Sequence, residues 1–114
     1  MDEHLAISAL AALAQDTRMA VFRLLVRAGP EGMAAGEVAP AVGAVPSTLS
    51  HHLGLLERAG LILSRRDGRS LIYAADYAGT RRLLSFLVED CCEGRSELCG
   101  GIERLLTCLP GDRT

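Results

Sequence analysis

The 114 residues suit one domain with a core of ordinary size, and the formal charge of −2 does not by itself advertise a polyanionic partner. Apolar residues make up 49% of the chain but aromatics only 4%, with no Trp, so the core falls to Leu, Val, Ile and Ala and helices are favoured. The charge is segregated: residues 58–70 carry Arg58, Arg65, Arg66 and Arg69 against Asp67, whereas residues 86–104 are acidic, and every basic side chain is Arg. No 18-residue apolar run is present, and the apolar start to Ala14 opens on Asp2, Glu3 and His4, the wrong sign for an export leader. The expectation is a cytoplasmic chain with no membrane partner, in which thiols stay reduced.

In chain order, Leu5, Ala9, Ala12 and Leu13 share one helical face and Ile7, Leu10 and Ala14 another. A helix apolar nearly all round needs cover, and in a small domain a partner subunit can supply it. Asp16 or Thr17 is the expected cap of a second helix with Val21, Leu24, Leu25 and Ala28 in register, ended by Gly29-Pro30. A short helix is predicted from about Ala35 to Val42. Another opens at Pro46, where proline is tolerated as first helical residue, and runs to about Ala59. Two helices joined by a short Gly-containing turn form a helix-turn-helix.

With Leu49, Leu53 and Leu56 turned inward, Ser47, Ser50, His51, Gly54 and Arg58 point out, at about 100° per residue. Small hydroxyls, a glycine and an imidazole are an unusual solvent face but suit a helix lying against base edges in a major groove. Residues 61–66 and 69–74 flank Asp67-Gly68, a two-residue hairpin signal, with Leu61 and Leu63 expected to face Ala74 and Ile72 on the core side. The DNA-facing set is therefore Ser47, Thr48, Ser50, His51 and Arg58, with Arg65, Arg66 and Arg69 clamping phosphates from the hairpin. His52 flanks the inward face and is read as packing. A helix from Asp76 or Tyr77 to Gly94 carries Leu84, Leu87, Val88 and Cys91 on one face. A last helix from Ser96 carries Ile102, Leu105, Leu106 and Leu109. The fold class is mainly α with a β-hairpin wing, a single winged helix-turn-helix domain over 1–114 in the order α-α-α-α-β-β-α-α.

Cys91, Cys92 and Cys99 sit in one acidic stretch, across a chain reversal at Gly94. Three thiolates converging on one ion make a pyramidal site suited to a soft acceptor such as As(III) or Sb(III). Cys99 falls in the first turn of the last helix, where the dipole favours the thiolate. Cys108 is read as packing or without a role. The same thiols could instead form a redox switch.

The chain resembles the ArsR/SmtB family of metal-responsive repressors over roughly residues 5–90. The likeness rests on Leu13-Ala14-Gln15-Asp16-Thr17-Arg18, on Ser47-Thr48-Leu49-Ser50-His51-His52-Leu53, on Leu55-Leu56-Glu57-Arg58-Ala59-Gly60-Leu61, and on Arg65-Arg66-Asp67-Gly68-Arg69. It implies a homodimer paired through its terminal helices, sitting on an operator until an inducer releases it. Arsenic-sensing members typically carry a Cys-Val-Cys motif at the start of the helix-turn-helix, and residues 37–43 here have no Cys. The Cys91, Cys92 and Cys99 cluster resembles a variant arsenic-sensing subgroup instead. The expected protein is a non-enzymatic repressor with As(III) or Sb(III) as inducer and no catalytic cofactor. The alternatives are a redox- or persulfide-sensing repressor and a zinc-responsive one.

Overall fold

The computed structural model describes residues 1–88. Helix α1 (Glu3–Leu13) is capped by Asp2, whose carboxylate accepts from the Leu5 amide at 2.8 Å. It buries Ala6, Ala9 and Ala12, while Leu5, Ile7 and Leu10 stand 54%, 57% and 42% exposed. The inward face is thus the alanine stripe rather than one led by Leu5, because methyl side chains let α1 lie close against its neighbours. Helix α2 (Asp16–Ala28) is capped by Gln15, not by Asp16 or Thr17. Gln15 is extended, and its side chain accepts from the Arg18 amide at 2.8 Å.

A two-residue strand that the sequence did not announce, β1 (Met33–Ala34), precedes α3 (Ala35–Val42). Helix α4 (Pro46–Arg58) follows with Pro46 in its first turn, as predicted, and leads into β2 (Ile62–Asp67) and β3 (Ser70–Ala75). The sheet is antiparallel in the order β1-β3-β2. Gly32 admits β1 to the β3 edge: its φ is +74°, and a Cβ there would come within 2.3 Å of the Tyr73 carbonyl oxygen. Helix α5 (Tyr77–Leu87) is capped by Asp76, which accepts from the Gly79 amide at 2.9 Å.

Two hairpin expectations are corrected. Asp67 pairs with Ser70, so the loop is Gly68-Arg69 rather than Asp67-Gly68. Gly68, at φ +65°, takes the first loop position, where hairpin turns require positive φ. Ile62, Tyr73 and Ala75 form the buried face, and Leu63 is 44% exposed. Leu61 is buried, but it closes the turn out of α4 by donating its amide to the Leu56 carbonyl, so the strand alternation starts one residue later.

The core joins Val21 and Leu25 of α2, Val38 of α3, and Leu49, Leu53 and Leu56 of α4, all essentially inaccessible. Burying each such side chain contributes roughly 1.5–3 kcal/mol. Tyr77 ties α5 to α2 by donating its hydroxyl to the Val26 carbonyl at 3.1 Å. On α5 the buried residues are Tyr77, Gly79 and Leu83; Leu84 is half-buried and Leu87 exposed, so the predicted Leu84–Leu87–Val88 stripe is not the core face. The predicted last helix lies outside the described residues. Among the described residues, no single helix is long and apolar enough to cross a membrane.

Candidate nucleic-acid interface

Helix α4 divides as its 3.6-residue period requires. Leu49, His52, Leu53 and Leu56 are buried, and Ser47, Thr48, Ser50, His51 and Arg58 are exposed. The exposed side chains share the outer face of the second helix of the helix-turn-helix, the one that enters a major groove in this motif. Gly54, expected to point outward, is half-buried. A Cβ there would lie 3.3 Å from Arg58 Nη1, so the Arg58 guanidinium folds back over Gly54.

The back of α4 is held by a contact that 34 residues of sequence separation concealed. Arg18 donates from Nε to the Ala12 carbonyl and from Nη1 to His52 Nδ1, the latter at 3.1 Å. A guanidinium can only donate, so Nδ1 is the acceptor and the His52 proton sits on Nε2. Burial holds the His52 pKa below the ordinary imidazole value, and the Arg18 charge and His51 push the same way. The assignment of His52 to packing stands, and Arg18 is its partner. The motif containing Arg18 was visible in the sequence, but nothing in it named His52.

The wing is fastened at its base and free at its tip. Ser64 donates to Glu57 at 2.8 Å, joining β2 to the last turn of α4, and Arg65 Nη2 donates to the Glu31 carbonyl at 2.8 Å. Arg66 and Arg69 are exposed, and neither has a hydrogen-bond or ion-pair partner among the described residues. The structure thus brings Arg65, Arg66 and Arg69 onto one hairpin end, with Arg65 partly committed to the protein itself. Cys91, Cys92, Cys99 and Cys108 lie outside the described residues. Within the described ones, no group of three or more His, Cys, Asp or Glu side chains could hold a metal ion.

A family model described as a helix-turn-helix domain matches residues 13–65. The nodulation protein NolR of Rhizobium meliloti is 33% identical over 86 residues, covering 75% of this chain and 68% of that protein. A Halobacterium salinarum protein named as an arsenical resistance operon repressor, ArsR, is 34% identical over 79 residues, covering 69% of this chain and 60% of its own length. The chain belongs to the ArsR family of winged-helix regulators. An ArsR-like regulator from Rhodococcus shares the architecture, with a TM-score of 0.68 at 22% identity over 90% of this chain and 92% of that one. As an ArsR-family member the protein is a transcriptional regulator with a DNA-binding winged helix-turn-helix.

Proposed function

We propose that this ArsR-family protein represses transcription as a homodimer on operator DNA and is released when As(III) or Sb(III) is bound by Cys91, Cys92 and Cys99. The observation that carries the inducer is the placement of three thiols within nine residues of an acidic segment directly following α5. In the binding step, arsenous acid exchanges its three hydroxyl groups for the three thiol sulfurs; each thiol proton leaves with a hydroxyl as water, and no electrons are transferred. Soft sulfur holds the product against hydrolysis. The name of the Halobacterium relative, an arsenical resistance operon repressor, favours the same inducer class.

On the DNA, Ser47, Thr48, Ser50 and His51 read base edges, while Arg58, Arg65, Arg66 and Arg69 neutralise phosphates. Support for the dimer comes from α1 and α5. Leu5, Ile7 and Leu10 of α1 are exposed, Ile7 and Leu10 on a face apart from Ala9 and Ala12, and Leu87 is 48% exposed on α5. This apolar surface requires cover in water.

The test is a gel shift with DNA from upstream of the protein's own gene, with and without arsenite. Wild type should bind and be released, whereas Cys99→Ser should bind equally and stay bound in arsenite. Release of the Cys99→Ser protein by arsenite would sink the three-thiol site. Release by peroxide but not arsenite would favour a redox switch on the same cysteines, and release by zinc alone a zinc-responsive repressor.

A further inference from the structure

A cavity of about 460 Å3 opens between α1, the start of α2 and the end of α4, lined by Ser8, Ala11, Ala12, Arg18, Leu55, Arg58 and Ala59. Its size is within the range of small-molecule sites. Its chemistry is lopsided: two guanidiniums and one hydroxyl, no carboxylate, and a floor of alanine and leucine side chains.

Neither positive charge is balanced within the described residues. The Arg18 side chain is half-buried, and both its hydrogen bonds go to neutral acceptors, the Ala12 carbonyl and the His52 imidazole. Arg58 has no hydrogen-bond or ion-pair partner there, and its guanidinium lies along α4 beside Gly54 while the residue stays exposed. A half-buried cation and an exposed one line the same cavity, neither with a counter-charge among the described residues, and together they favour an anion there.

We propose that this cavity binds a small oxyanion, a carboxylate or a phosphate, seated between the Arg18 and Arg58 guanidiniums with the Ser8 hydroxyl as a further donor. The apolar floor accepts a short hydrocarbon body. Occupancy is coupled to DNA, because Arg58 lies on the outer side of the DNA-reading helix and Arg18 grips that helix through His52. An anion that holds Arg58 over the cavity withdraws it from the DNA backbone, so anion and operator compete. The site is independent of the thiol cluster. Only its coupling to DNA rests on the reading of α4 given above.

The test uses the full chain and two probes, sodium phosphate and sodium succinate, against sodium chloride at matched ionic strength and pH. Thermal denaturation and amide chemical shifts of Ser8, Ala11, Arg18 and Arg58 report binding to the free protein. At least one probe should raise the melting temperature saturably and shift those amides, where chloride does neither. Arg58→Gln, at an exposed position, should fold and weaken the apparent Kd at least tenfold, and Ser8→Ala should weaken it less. Saturating anion should lower operator affinity more than chloride does, with the excess lost in Arg58→Gln. A probe that acts only as chloride does, or binds Arg58→Gln like wild type, overturns the site. Loss of operator affinity in Arg18→Gln without binding of either free anion would make the cavity a seat for DNA phosphate and overturn it too. Binding to the free protein without any effect on operator affinity would overturn the coupling alone.

Discussion

Replacing Arg66 with alanine separates the wing's electrostatics from its architecture. Arg66 is exposed on β2 opposite Leu71, and the described residues offer it no partner, so its charge is available to a phosphate. Each neutralised phosphate contributes about 0.9 to the slope of log affinity against log salt. Losing one contact per protomer should therefore shallow the slope by about 0.9, or about 1.8 for a dimer. Between 50 and 200 mM salt, a fourfold change, wild type should lose about 3.5-fold more affinity per Arg66 than the variant does, and about 12-fold more per dimer. The loss should be equal on operator and scrambled duplexes, because phosphates carry no sequence information. An exposed side chain without partners should also leave stability within about 0.5 kcal/mol. Arg65→Ala is the contrasting variant. Its Nη2 holds the Glu31 carbonyl, so it should lower the melting temperature as well as the slope. Fluorescence anisotropy titrations of both variants on the two duplexes, across the salt series, give the slopes directly. An unchanged slope for Arg66→Ala, or a loss confined to the operator, would refute the phosphate assignment.

Three further outcomes follow from other parts of the structure. In Gly79→Ala, alanine should gain about 1 kcal/mol of helix propensity, but its Cβ would stand 1.9 Å from the Gly60 carbonyl oxygen; overpacking costs about 1–3 kcal/mol or more and wins because the neighbour is backbone. A melting temperature at or above wild type would contradict that packing. His52 has a lowered folded pKa, so the unfolded chain binds more protons in the window below about 6.5. Stability should be full above that pH and fall as pH drops through 6.5 towards the folded pKa, a loss that His52→Gln should flatten in urea titrations over the same window. Leu10→Glu places a charge on the exposed apolar side of α1 and should yield monomers in sedimentation; a persistent dimer would move the interface elsewhere.

What the sequence disclosed and concealed divides by the range of the interaction. Helix α4 was legible because its period, its opening proline and its closing glycine are local, and rotation alone placed Ser47, Ser50, His51 and Arg58 outward, missing only that Gly54 is half-buried. The hairpin was legible as an element but not in register. An Asp-Gly pair leaves open whether Gly stands first or second in the loop, and the buried face depends on Leu61 being spent on the turn after α4. Strand β1 has only two residues and no period to read; it exists because β3 offers an edge. The Arg18–His52 contact and the approach of Gly79 to Gly60 join distant segments, which no single-segment pattern encodes.

Those long-range contacts bear on how release from DNA can work. The back of α4 is tied to α1 through Arg18 and His52, its last turn is joined to β2 through Glu57 and Ser64, and the Gly60 carbonyl that follows it lies against α5. Each tie joins a different neighbour to α4, and the leucine core fills the space between them. Packed cores of this kind move as units more readily than they deform. An inducer bound at the proposed thiol site beyond α5 therefore gains little by reshaping α4 within its own protomer. In the proposed dimer the softer coordinate is the relation between two α4 helices, set by whatever pairs the exposed apolar residues of α1 and α5. Coupling then requires the ligand to favour one spacing of the protomers over another, with the recognition surface of each left intact.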